Sequence, residues 1–276
     1  MLFALLIFAG CNGTDDKNQD VPNLPERNLP NVSYGNDPEQ KMDVYLPANR
    51  TSGTKVFVLI HGGGWSGGSR ADFAYAVPML KASFPEYAIV NLDYRLGTQQ
   101  SPGFPKQIED ISKAVDFLKS SDYQVSNNFA LIGASAGAHL SMLYAYKHDQ
   151  DHEVKAVASI VGPTDFTDPA YVSNPLFQFG LTALVGNADY QTNPELFIEV
   201  SPRAHVNAQS PPTIQFNGGQ DPLIPVSQQT RLKQKLDEAH VYNEAYLYPA
   251  GGHGNWNAAT MLDFQAKLVA FFEGRF

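Results

Sequence analysis

The chain has 276 residues, 43% hydrophobic and 17% charged, which suits a globular domain with a sizeable core and argues against a disordered chain. Nineteen Lys and Arg against 28 Asp and Glu give a net charge of −9 with no basic run, which argues against nucleic acid as a partner, since phosphate binding needs clustered cations. The one cysteine, Cys11, excludes an intrachain disulfide.

Residues 1–10 are wholly apolar and end in Ala9-Gly10 before Cys11. They fall short of the roughly 20 residues a membrane-spanning helix needs, but match the apolar core and small-residue cleavage site of a secretory signal. The Ala-Gly-Cys junction resembles the lipobox of bacterial lipoproteins, although no Lys or Arg precedes it and Phe8 stands where Leu is usual. That resemblance implies lipid on Cys11, export, and a cell-envelope protein held to the membrane by this anchor only; a buried N-terminal strand with a core cysteine is the blander alternative. Residues 11–31 are polar, rich in Asn, Asp and Pro, and read as a flexible tether. The folded domain is then expected over 32–276.

Strands are expected at 32–34 and at 41–46, where Met42, Val44 and Leu46 alternate with polar residues. The run 55–60 is apolar after Lys55, as a strand buried on both faces should be. A helix at 71–83 and a strand at 87–92 follow. The stretch 106–120 reads as an amphipathic helix, with Ile108, Ile111, Val115 and Leu118 at spacings of three and four. Then come strand 129–132, helix 136–147 and strand 155–161. Residues 163–210, rich in proline and aromatics, read as an irregular cap insertion. Strand 213–217, helix 226–239, strand 244–248 and a last helix to Phe276 complete the chain. Such alternation predicts an α/β fold, a mainly parallel twisted sheet with helices on both faces. Ligands of these sheets bind beyond the carboxyl ends of the strands.

Every chemical motif falls just after a strand. Gly133-Ala-Ser-Ala-Gly137 lies between strand 129–132 and helix 136–147, the setting of a nucleophile elbow presenting Ser135. The turn is strained, so a side chain at 133 or 137 would collide with neighbouring strand or helix. His61-Gly-Gly-Gly-Trp65 follows strand 55–60. Its glycines let the N–H groups of Gly62 and Gly63 turn toward a ligand, and with the N–H of Ala136 they could hold an oxyanion. A plain glycine-rich loop is the blander alternative, and its pairing with the elbow disfavours it.

The base must be a histidine on a late loop. His61 belongs to the oxyanion loop as a buttress, and His139, one turn past Ser135, is expected to be packed. His148, His152, His205 and His240 lie in polar, turn-like or helix-end stretches. His253, in Pro249-Ala-Gly-Gly-His-Gly254 between the last strand and the last helix, is free to swing toward Ser135. For the acid, Asp221 ends Asn217-Gly-Gly-Gln-Asp-Pro222, one helix and one strand before His253. Asp165, just after strand 155–161, is the competitor, more suited to capping a turn or touching substrate.

The order Ser135, Asp221, His253 is that of α/β-hydrolases. Together with Asp93-Tyr-Arg-Leu96, Gly-Ala-Ser-Ala-Gly-Ala-His139 and Gly-Gly-Gln-Asp-Pro-Leu-Ile-Pro225, these motifs resemble hormone-sensitive-lipase-like and feruloyl-esterase-like carboxylesterases, over about residues 40–275. The resemblance implies a sheet of about eight strands, no cofactor and no metal, with Tyr94 structural and Arg95 paired and buried. It also implies a serine esterase acting on short-chain or carbohydrate-linked (acetyl or feruloyl) esters. A compact cap would let Trp65, Tyr171, Phe177 and Phe179 line the substrate pocket, with self-packing as the alternative use of these aromatics. Rival readings are an arylformamidase-like amide hydrolase with the same triad, and a silent binding module, whose usual mark of a lost triad residue is missing here.

Overall fold

The computed structural model describes residues 24–173 and 175–276, without the side chains of residues 175, 176, 178 and 179. The apolar leader 1–10, Cys11 and the tether up to residue 23 lie outside the described residues.

Among the described residues eight strands form one sheet, in the order β1-β2-β4-β3-β5-β6-β7-β8. They are β1 (Arg27–Ser33), β2 (Lys41–Leu46), β3 (Val56–Ile60), β4 (Ala88–Leu92), β5 (Phe129–Ala134), β6 (Val154–Ile160), β7 (Thr213–Gly218) and β8 (Asn243–Tyr248). β2 runs antiparallel to β1 and β4, and all other pairs are parallel. The helices are α1 (Ala76–Ser83), α2 (Lys106–Ser120), α3 (Ala136–Leu143), α4 (Pro169–Val172), α5 (Pro175–Val185), α6 (Pro194–Glu199), α7 (Val226–Glu238) and α8 (Ala258–Arg275).

β3 shows why the sheet is covered twice. Val56, Val58 and Ile60 join a core with α2, α3 and α7, while Phe57 and Leu59 face a second core with α1 and α8. Alternate side chains point to opposite faces, so a strand apolar at every position needs a helix layer on each. Register then aligns the carboxyl ends: Ile60 is level with Gly133, Gly133 with Ser159, Ile160 with Phe216, and Gly218 with Tyr248. The loops that begin at His61, Ser135, Gly219 and Pro249 therefore leave from one edge of the sheet. Among the described residues no helix is long and apolar enough to cross a membrane.

Three expectations need correction. β1 starts at Arg27, so residues 27–31 belong to the sheet and not to a tether. This strand is mostly exposed and has an irregular register between Leu29 and Val32, so it has no apolar alternation to read. The helix expected at 71–83 is a 3-10 turn at Arg70–Phe73 followed by α1, because Pro78 can stand only in the first turn of a helix. The insertion is not irregular. Pro169, Pro175, Pro194 and Pro202 each open a helical segment, where the missing N–H costs nothing.

Candidate active site

Ser135 is the single residue between β5 and α3, with φ 52° and ψ −120°. A left-handed backbone at a non-glycine residue costs about 1–3 kcal/mol and persists only when its surroundings enforce it. Here the serine N–H donates to Ile160 O at 2.8 Å, and packing closes in on both sides. A Cβ on Gly133 would clash with Gly137 O and the backbone of Ala138, and one on Gly137 with the carbonyls of Ile60 and His61. Both glycines are required by close approach.

The loop after β3 lies against this turn. A Cβ on Gly62 would sit 2.9 Å from Ala134 O and 3.2 Å from Ser135 Cβ. Gly63 has φ 117°, and its carbonyl accepts from the N–H groups of Ser66 and Gly67. The N–H groups of Gly62, Gly63 and Ala136 find no acceptor among the described residues, so three donors stand free around Ser135. His61 is buried and stacks on Tyr94 with ring centroids 4.3 Å apart. Its Nδ1–H donates to Gly62 O at 2.6 Å, and Tyr94 Oη–H donates to His61 O at 2.8 Å. Burial pushes the His61 pKa down, so the ring stays a neutral brace. Arg95 pairs with Asp110 at 2.7 Å but stays 22% exposed, because its guanidinium reaches out to Glu109 as well; the expected burial falls on Asp110 instead.

The structure brings Ser135, His253 and Asp221 into one hydrogen-bonded line. His253 Nε2 lies 2.9 Å from Ser135 Oγ, and its Nδ1 lies 2.7 Å from Asp221 Oδ2. The other carboxylate oxygen, Oδ1, accepts from the N–H groups of Leu223 and Ile224, which fixes the carboxyl plane. Glycines let the two loops touch. A Cβ on Gly218 would strike the carbonyls of Gly251 and Gly252, and one on Gly219 would lie 2.6 Å from Pro249 O. Gln220 N–H closes the contact by donating to Gly251 O at 2.9 Å.

Asp165 stands apart from this line. Its Oδ1 accepts from Thr167 N–H and Oγ1, and its Oδ2 pairs with Arg231 at 2.7 Å. Burial works to raise its pKa, but the Thr167 and Arg231 hydrogen bonds outweigh it and hold the carboxyl below its usual range. Gln228, not among the expected site residues, organises the same corner. Its Oε1 accepts from the N–H groups of Thr164 and Asp165, and its Nε2 donates to Asp165 O and Asp168 Oδ2. The signal was there, for Gln228 sits on the same helical stripe as Leu232 and Leu236, both fully buried.

Three of the four aromatics expected to line a pocket are packed inward. Trp65, Tyr171 and Phe177 are 3–5% exposed, and Tyr171 stacks on Phe177 at 4.2 Å. Phe166 lies between Trp65, His139 and Tyr171. Self-packing is therefore the use these three residues are put to; the side chain of Phe179 lies outside what the structure describes. Among the described residues, no group of three His, Cys, Asp or Glu is placed to hold a metal ion.

His139 is fully buried, and burial lowers its pKa from 6.5 to about 4. Between those values the unfolded chain binds a proton that the folded chain does not, so stability is complete above about pH 6.5 and falls as pH drops toward 4. The loss from this group is about 3 kcal/mol. Urea titrations at pH 7 and pH 4.5 should show it, and His139→Gln should shrink the difference by about that amount, leaving the share of the other buried histidines, His61 among them. An unchanged pH slope in that variant would remove His139 as its source.

The BD-FAE family model matches residues 42–236. The chain is 29% identical over 239 residues to Esterase LipC of Mycobacterium tuberculosis (strain ATCC 25618 / H37Rv), covering 81% of this chain and 59% of that protein. It thus spans only about half to three fifths of the length of such curated relatives. A truncated form of a carbohydrate esterase from gut microbiota superposes with a TM-score of 0.70 at 22% identity, over 90% of this chain and 98% of that one. An acetyl ester-xyloside bifunctional hydrolase from Caldicellulosiruptor lactoaceticus gives 0.72 at 18%, over 91% and 97%. These likenesses establish the α/β-hydrolase fold.

Proposed function

The chain belongs to the BD-FAE family, and from that premise we propose that it is a serine carboxylic ester hydrolase working through an acyl-enzyme on Ser135. The observation that carries this reading is the hydrogen-bonded line Ser135–His253–Asp221 beside three backbone N–H groups without acceptors among the described residues. Ser135 Oγ attacks the ester carbonyl carbon while His253 Nε2 takes its proton. The oxyanion forms among the N–H groups of Gly62, Gly63 and Ala136, and Asp221 stabilises the imidazolium. The tetrahedral intermediate collapses, the alcohol leaves with the proton from His253, and water repeats the sequence on the acyl-enzyme.

The substrates proposed are esters of short acyl groups, carried on small alcohols or on carbohydrate. Tyr171 and Phe177 fill the insertion with their own stacking, which favours acetyl over feruloyl. The names of the two superposed structures, a carbohydrate esterase and an acetyl ester-xyloside hydrolase, support the saccharide side. Turnover of nitrophenyl acetate, nitrophenyl butyrate, methyl ferulate, acetylated xylan and formylkynurenine should rank the acetyl esters first. Preference for formylkynurenine would make the chain an amide hydrolase.

The reading includes a lipid anchor on Cys11, supported by the apolar leader and the Ala-Gly-Cys junction, and with it a place in the bacterial cell envelope. Cys11→Ser should move the protein out of the membrane fraction in its native cell. Sedimentation of that variant with salt-washed membranes would place the anchor elsewhere.

A further inference from the structure

Two motifs that lie 74 residues apart in sequence meet in one hydrogen bond. Trp65 closes the glycine loop, and His139 stands one turn along α3 from Ser135, its N–H donating to Ser135 O at 3.1 Å. The indole Nε1–H of Trp65 reaches His139 Nδ1 at 3.0 Å. Indole nitrogen can only donate, so Nδ1 accepts and the ring proton is on Nε2. That proton goes to Val200 O at 2.7 Å, just past α6 and at the exit of the insertion. The imidazole thus joins the oxyanion loop, the elbow helix and the insertion, and it does so as the only tautomer the partners allow. Trp65 is held from its other end as well, its carbonyl accepting from Gly97 N–H at 2.7 Å and Gln107 Nε2 at 2.8 Å. The Trp65 backbone is left-handed at φ 61°, a conformation that needs such enforcement.

We propose that His139 is a positioning residue for ester hydrolysis, fixing Trp65 and through it the Gly62 and Gly63 N–H groups relative to Ser135. Gly63 and Gly62 are two and three positions before Trp65, so the seat of the indole, together with the bonds on the Trp65 carbonyl, sets where the oxyanion donors stand. Those donors act chiefly on the charge that develops in the transition state. Loosening them therefore lowers kcat and leaves KM almost alone, and a shift of about an ångström can cost on the order of 100-fold.

The inference rests on the esterase reading above, and the test keeps the two separable. Kinetics on nitrophenyl acetate would compare wild type with His139→Leu, His139→Gln, Trp65→Phe and the Trp65→Phe/His139→Leu pair, each checked for folding by circular dichroism and thermal melting. His139→Leu and Trp65→Phe should each lose on the order of 100-fold in kcat with KM nearly constant. The double variant should be no worse than either single, because both break one link. His139→Gln, which offers an acceptor and a donor, should recover most of the rate. If His139→Leu does not fold, Trp65→Phe and His139→Gln carry the comparison. Full kcat in a folded Trp65→Phe or His139→Leu sample, or losses that multiply in the double variant, would overturn the proposal. A wild type inactive on every ester would instead overturn the esterase reading itself.

Discussion

Ser135→Ala is expected to reduce kcat on nitrophenyl acetate by about 10⁶, as loss of the nucleophile does in serine hydrolases. Its melting temperature should stay close to that of wild type. Among the described residues the Oγ of Ser135 makes one side-chain hydrogen bond, to His253, and the residue is only half-buried, so the deleted atom removes little packing. Alanine keeps the Cβ that already fits the left-handed turn at φ 52°, and the N–H bond to Ile160 O is unaffected. A fluorophosphonate probe should label wild type and leave the variant unmarked. Near-wild-type turnover by a folded Ser135→Ala sample would remove Ser135 from the chemistry.

Why the site could be read in the sequence becomes plain from its glycines. Gly133, Gly137, Gly218 and Gly219 all stand where backbone passes backbone too closely for a Cβ. Close approach leaves a compositional mark, and the apolar runs of β3 and β5 give the position of each mark on the sheet. The central strands β3 to β7 could be read because burial on both faces shows as nearly unbroken hydrophobicity, and β2 because its apolar residues alternate. What escaped the reading leaves no local mark. Residues 27–31, the first part of β1, are exposed edge backbone whose partner, β2, supplies their order. Prolines 169, 175, 194 and 202 look like loop residues until their positions at helix starts are seen. The Trp65–His139 bond joins residues whose spacing in sequence says nothing about distance in space. Aromatics in a cap can line a pocket or fill a core, and composition is the same for both. Their burial, the Tyr171–Phe177 stack and the packing of Phe166 against Trp65, His139 and Tyr171 decide it.

Asp221→Asn should lower kcat by roughly 10⁴, and the geometry gives the reason. Oδ1 of Asp221 accepts two backbone N–H groups, from Leu223 at 2.8 Å and Ile224 at 3.0 Å. An asparagine at 221 must keep its carbonyl oxygen on those donors, which turns its NH₂ toward His253 Nδ1. Nδ1 would then have to accept, and the ring proton would move to Nε2, facing Ser135 Oγ. In that tautomer the imidazole cannot take the serine proton. Fold and melting temperature should change little, because the turn keeps both backbone bonds. Asp165→Asn should behave the opposite way. Its carboxylate pairs with Arg231 and lies near Arg203, both about a third exposed, so solvent screens part of the lost attraction. A stability loss of about 1–2 kcal/mol is expected, discounted for that screening, with kcat within about tenfold of wild type because no bond reaches His253. Melting curves and steady-state kinetics on both variants separate the two positions. If folded Asp165→Asn were the slower enzyme, the acid would have to be reassigned to the β6 loop.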